Sequence, residues 1–329
     1  MATSTSNGGT TETIPYPEDD KLGPLGGKVS VLRDPAGLRK ALLQEFGHGV
    51  QIAKDAVIAV DQSPTNAVHG ARKGLRRARA VLELLSAALP KGERRAVAKA
   101  LQEARRALST IRDHAVDPET LGALALDDHD RATAQRILDN AAEALPAAAE
   151  IKQLVAESAA RAAAQAEALA AALPAEVTLA NVLDGIRGVY AEARHARESA
   201  KSSKQWFHTW RRRTKELGYQ LELLAAHAGP RLAAIHSEID GISDTLGPAV
   251  DLIMVREFVS TYNQGVSEDD LDHLKDAIDA VLGDLIKDAR KAGRDSFAMK
   301  PRKLAKRLQK AVKRDLTPVD DHDANAELA

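Results

Sequence analysis

The sequence contains a second, diverged copy of its own most charged segment. Shifted by 139 residues, HGARKGLRRARAVLELLSA (69–87) lies over HTWRRRTKELGYQLELLAA (208–226). His69 aligns with His208, Arg72 with Arg211, Lys73 with Arg212 and Arg76 with Lys215. The run Leu82, Glu83, Leu84, Leu85 falls on an identical run from Leu221 to Leu224. A shared polar face continued by the same apolar tetrapeptide predicts two related halves of one architecture. The expected organisation is a tail over 1–28, a first bundle over 29–173, a second over 174–317, and an acidic tail over 318–329.

Both halves read as helical throughout. Ala and Leu dominate, aromatic residues make up only 3% of the chain, and no alternating β-branched run marks a strand. Apolar residues recur at three and four over 35–61, 65–89, 91–115, 128–145, 147–172, 177–200, 203–228, 230–247, 249–263, 267–293 and 301–315. Pro64, Pro90, Pro118, Pro146, Pro174, Pro230, Pro248 and Pro301 stand near the proposed boundaries, where a missing N–H does little harm. The fold class predicted is all-α: two related helical bundles.

The repeated segment has a definite polarity. On a helical wheel His69, Arg72, Lys73, Arg76 and Arg79 share one side, while Ala71, Leu75, Ala78, Leu82 and Leu85 occupy the other. In the copy, His208, Arg211, Arg212 and Lys215 oppose Trp210, Leu217, Leu221 and Leu224, and Arg213 falls nearer the apolar side. Trp206 and Trp210 are both expected in the core. Cations at i, i+3 and i+4 repel by roughly 0.2–0.5 kcal/mol per pair, and residues 69–79 contain no carboxylate. A polyanion along the stripe would relieve that repulsion.

Two further segments are basic. Arg187, Arg194, Arg197 and Lys201 share one side of the helix expected over 177–200. The last helix carries Arg302, Lys303, Lys306, Arg307, Lys310, Lys313 and Arg314 opposite Leu304, Leu308, Ala311 and Val312. Yet 46 Lys and Arg are balanced by 47 Asp and Glu, so the charges are segregated rather than in excess. The acids gather in DDHD (127–130), SEDDLD (267–272) and the tails. Segregation of this kind points to a local anion site.

The absence of cysteine excludes disulfides, Cys-ligated zinc and thiol catalysis, and suits a reducing compartment. Neither a signal-peptide core nor a membrane-length apolar run stands out, so the expectation is a cytoplasmic chain. The histidines show no metal-ligand spacing, and no metal or cofactor is expected.

H-x-x-R-x-x-x-R-R-x-R from His69 to Arg79, the S-x-I-R-D element from Ser109 to Asp113, F-H-x-x-R-x-x-x-K from Phe207 to Lys215 and K-P-x-K-x-x-K-R from Lys300 to Arg307 together resemble the CHAD family, the conserved histidine α-helical domains. The resemblance covers roughly 30–316. It implies two antiparallel four-helix bundles related by a pseudo-two-fold repeat, with basic faces around a central groove or pore, binding of inorganic polyphosphate, and association with polyphosphate granules. Carried over by position, the implied contacts are His69, Arg72, Lys73, Arg76, Arg79, Arg187, Arg194, Arg197, Lys201, His208, Arg211, Arg212, Lys215, Lys303, Lys306, Arg307 and Lys310. Tyr190 and Tyr219 are candidate hydroxyl donors. The second motif departs from the family's K-R-L-R-Y, because Glu216 and Gly218 replace two cations, and a weaker grip is expected there. Arg112 and Asp113 read as a structural ion pair. Some members carry a CYTH triphosphatase domain, but no E-x-E-x-K strand occurs here, so binding without catalysis is expected.

Two other functions fit the same stripes. Nucleic acid would satisfy the cations, although little aromatic interleaving is present to stack bases. A phosphotransferase or polyphosphatase would use His69 or His208 as nucleophile, without a P-loop or a carboxylate cluster beside the stripe.

Overall fold

The computed structural model describes residues 31–201 and 203–316, and for Thr110 and residues 112–117 the backbone alone. Both tails and the Arg112–Asp113 pair therefore lie outside the described residues or side chains. The described chain is all-helical. A short 3₁₀ turn, Val31–Arg33, precedes α1 (Pro35–Ala59), α2 (Pro64–Leu84), α3 (Lys91–Ala107), α4 (Ser109–Gly122), α5 (Asp128–Glu143), α6 (Ala148–Ala172), α7 (Leu179–Ser199), α8 (Gln205–Ala228), α9 (Pro230–Thr261), α10 (Glu268–Ser296) and α11 (Pro301–Leu316).

Local chemistry starts these helices where it should. Asp34, Ser63, Asp127 and Ser267 each accept a backbone N–H of the first turn, and Thr178 forms a reciprocal capping box with Asn181. Pro35, Pro64 and Pro230 occupy first-turn positions, where no backbone hydrogen bond is lost.

Two boundaries differ from expectation. The helix expected over 91–115 breaks at Leu108, whereas 230–247 and 249–263 join into α9 with Pro248 inside it. Pro118 likewise lies within α4. Pro248 removes one intrahelical hydrogen bond, but Leu246, Ala249, Val250, Leu252 and Ile253 around it are buried. Packing on both sides of the proline holds the helix together.

The repeat persists through these differences. Shifting Lys91–Gly122 by 139 residues gives 230–261, the limits of α9, so α3 and α4 together are the counterpart of one long helix. In the first half α1, α2, α3 and α6 pack on one another; in the second, α7, α8, α9 and α11 do. Helices α4 and α10 pack on α9, and α5 packs on α10 and α4. Helix α2 also touches α7 and α8, which brings the two stripes to the centre of the molecule. Buried apolar side chains form one continuous cluster from Leu32 to Leu316.

Trp210 is fully buried, but Trp206 is 37% exposed and lies edge-on to His195, a correction to its expected place in the core. It stands in the first turn of α8, before the helix has entered the bundle.

Candidate anion-binding cleft

Three equivalent pairs of the repeat line one cleft of about 460 Å³: His69 with His208, Arg72 with Arg211, and Arg76 with Lys215. Arg212 joins them from α8, Arg105 from the last turn of α3, and Ser109 from the start of α4. Helix α9 supplies Val250, Asp251, Met254 and Glu257. Among the described residues lining the cleft, six Arg and Lys side chains therefore face two carboxylates.

Each wall is positioned by its own helix ends and neighbours. Arg72 donates to the Arg105 carbonyl at 3.0 Å and to Ser109 Oγ at 3.2 Å. That carbonyl belongs to the broken end of α3, where orphan C=O groups and the helix dipole favour a cation. The break at Leu108 thus fixes Arg72. On the opposite wall α9 is unbroken, and Arg211 instead pairs with Asp251 at 3.2 Å.

The remaining guanidinium groups are not balanced in this way. The Nε–H groups of Arg76 and Arg212 are buried without a hydrogen-bond partner among the described residues. Burial, followed by the charges of Arg212, Arg79 and Arg76, pulls the Arg105 guanidinium down to about 10. Arg212 is lowered as well, by burial first and then by Arg213. Depressed arginines mean that the cleft holds positive charge at a cost. An anion would remove that cost.

The other residues expected at the site lie elsewhere. Arg79, the next cation of the α2 stripe after Arg76, points its Nε at Glu216 Oε1, 2.9 Å away. Lys73 is partly exposed and does not line the cleft. Tyr190 is buried and stacks on Phe297, and its hydroxyl lies 3.1 and 3.0 Å from the carbonyls of Ser296 and Met299. Tyr219 is not among the described residues lining the cleft and carries the Arg77 guanidinium over its ring at 5.8 Å. Arg194 donates to the Phe297 carbonyl at 3.1 Å, Arg187 pairs with Asp184, and Arg197 and Lys201 both pair with Glu198. These side chains of α7 bind protein groups rather than facing the cleft. Lys303, Lys306, Arg307 and Lys310 lie on an exposed face of α11 outside it, with Arg307 paired to Glu238 at 3.2 Å.

Arg105, Ser109, Asp251 and Glu257 escaped the search for basic runs. Arg105 is one of six cations on α3 that Glu93 and Glu103 interrupt, Asp251 is a single carboxylate among apolar neighbours on α9, and Glu257 stands beside Arg256. Away from the cleft, Asp127, Asp130 and His273 bring donor atoms within 4.8 Å of one another. No spacing could announce that group, because His273 arrives from another helix. Its Nδ1 is already 2.8 Å from Asp130 Oδ1.

An internally duplicated, all-helical protein with a cationic cleft where the copies meet defines the class of molecule. Residues 41–260 match the family model of the CHAD domain, and the chain belongs to that family. Proteins of this family are associated in general with polyphosphate binding. The crystal structure of the CHAD domain from the plant Ricinus communis is similar in fold, with a TM-score of 0.58 and 16% identity, over 84% of this chain and 95% of that one. No curated protein matches the sequence. None of the described helices is long and apolar enough to cross a membrane.

Proposed function

We propose that the cleft binds inorganic polyphosphate without turning it over, and that the protein works as a polyphosphate-binding module at cytoplasmic granules. One observation carries this reading: Arg76, Arg105 and Arg212 are crowded together with buried or depressed charge and, among the described residues, no carboxylate paired to them. Guanidinium groups meet phosphate oxygens with paired donors, and each such charged hydrogen bond nets roughly 1.5–3 kcal/mol where water is excluded. A polymer supplies many phosphates in sequence, so affinity grows with the number of cations it spans. Nucleic acid fits less well, because no Phe, Tyr or Trp stands among the described residues lining the cleft, which leaves bases no stacking platform.

The test is a titration with polyphosphates of increasing length at several salt concentrations, repeated on Arg76→Ala/Arg212→Ala. Affinity is expected to rise with length, with a log–log salt slope of roughly −4 to −6 for six to eight neutralised phosphates. The double variant is expected to bind on the order of a hundredfold more weakly. Equal affinity for tripolyphosphate and long chains with a flat salt response would overturn the reading, as would RNA displacing polyphosphate at physiological salt. Steady release of orthophosphate, abolished by His69→Ala, would replace binding with catalysis.

A further inference from the structure

The cation stripe of α2 continues past the cleft, but its next member is already occupied. Arg79 lies three residues beyond Arg76 and meets Glu216 at 2.9 Å. Glu216 is only 3% exposed, and its other oxygen takes Arg213 at 2.5 Å. Glu192 holds the second nitrogen of Arg213, and Glu83 reaches Arg94 at 3.0 Å and Arg213 at 3.8 Å. This network bridges α2, α7 and α8 next to Arg212. The charge of Glu216 is felt inside the cleft, where it opposes the lowering of both Arg105 and Arg212. The repeat sharpens the contrast, since the counterpart of Glu216 in the first half is Arg77.

We infer that Glu216 is a resident counter-anion marking the inner limit of the phosphate site. Its carboxylate occupies Arg79 and Arg213 as a phosphate would, and its buried charge repels a second anion from the same turn. A bound chain therefore stops at Arg76, Arg105 and Arg212. This inference rests on the cleft being a polyphosphate site.

The experiment is calorimetric titration of the full chain with long-chain polyphosphate at several salt concentrations. Glu216→Gln keeps the shape and removes the charge. It is expected to bind about tenfold or more tightly, with a salt slope steeper by about one to two, as Arg79 and Arg213 gain phosphate. Adding Arg79→Ala to that variant returns part of the gain. Glu83→Gln loosens the same network, its longer 3.9 Å contact to Arg79 included, but leaves the Glu216 carboxylate in place on Arg79 and Arg213, and is expected to keep the wild-type slope. A folded Glu216→Gln protein with wild-type affinity and slope reduces Glu216 to a packing ion pair. Arg79→Ala alone decides the matter even if Glu216→Gln does not fold. It should bind within about threefold of wild type, whereas Arg76→Ala should not. Equal losses in those two would mean that the chain runs past Glu216 and would overturn the limit. Wild-type protein that binds no polyphosphate is a different result, and removes the reading of the cleft itself.

Discussion

In the first half, α2 approaches α1 through glycine: a Cβ placed on Gly74 would lie 2.4 Å from the Gly49 carbonyl and 2.9 Å from the Ala53 nitrogen. In the second half the residue equivalent to Gly74 is Arg213, and the one equivalent to Ala53 is Glu192. A backbone contact in one copy has become an ion pair in the other. The spacing changed with it, because a Cβ on Gly188, the counterpart of Gly49, would meet nothing within 4 Å. Arg213 holds α7 off α8 and then needs carboxylates around it, which Glu192, Glu216 and Glu83 supply. The second half did not simply lose two phosphate-binding cations at Glu216 and Gly218. It carries an internal ionic joint where the first half has a glycine-mediated helix contact.

Removing one partner of that joint should have the largest effect. Arg213→Leu leaves buried Glu216 with Arg79 alone, while half-exposed Glu192 turns to water, and is expected to cost about 3 kcal/mol in urea denaturation. Changing both partners back to the first-half pair, Arg213→Gly/Glu192→Ala, should cost less than the two single changes added together. Strict additivity would mean that the two residues are not a unit, and the comparison of the copies would fail.

The first half should break differently. Gly74→Ala inserts a methyl where backbone already stands, and about 1–3 kcal/mol of destabilisation is expected, with helices α1 and α2 forced apart. Urea denaturation checks this as well. A neutral result would show that α1 and α2 yield as readily as α7 and α8.

How much of this was legible in the sequence depends on whether one helix or two are involved. The stripes were readable because a 3.6-residue period assigns His69, Arg72 and Arg76 to one face of a single helix, and the repeat assigned His208, Arg211 and Lys215 likewise. A wheel cannot say which faces of different helices meet. Arg79 shares the stripe yet sits opposite Glu216, and Arg105 enters the cleft from α3, whose six cations are interrupted by Glu93 and Glu103 and so form no unbroken basic run. Tyr190 shows the limit most simply, since its phase on α7 turns it into the core against Phe297. Tyr190→Phe removes one buried hydroxyl and should cost about 1 kcal/mol in thermal unfolding while leaving polyphosphate affinity unchanged. A loss of affinity without loss of stability would return the tyrosine to the site.

A smaller effect separates the copies with the opposite sign. Gly188 is exposed in mid-α7 with open space around it, so Gly188→Ala should stabilise by about 0.5–1 kcal/mol through helix propensity alone. Gly49→Ala, at the matching position, would drive a methyl to 2.8 Å from the Ala78 nitrogen and should destabilise. Chemical denaturation of the two variants side by side tests whether glycine is needed in one copy and incidental in the other.

The mildest test concerns pH and contrasts two histidines. His273 on α10 is raised above its usual value of 6.5, first by its hydrogen bond to Asp130 and then by that carboxylate's charge, with Asp127 and Asp276 adding to it. His129 and Asp270 form the neighbouring pair across α5 and α10 at 3.1 Å. His227, buried at the end of α8, is lowered by burial. The signs oppose each other. A raised group gives its full stabilisation below the unfolded value and loses it as pH climbs through the folded value. A lowered histidine loses stability as pH falls from the unfolded value towards the folded one. Melting temperature should therefore be highest near pH 6.5 and decline on both sides. Asp130→Asn should flatten the alkaline decline while leaving the acid one, and His227→Asn should do the reverse. If both variants keep the wild-type profile, neither histidine is linked to folding.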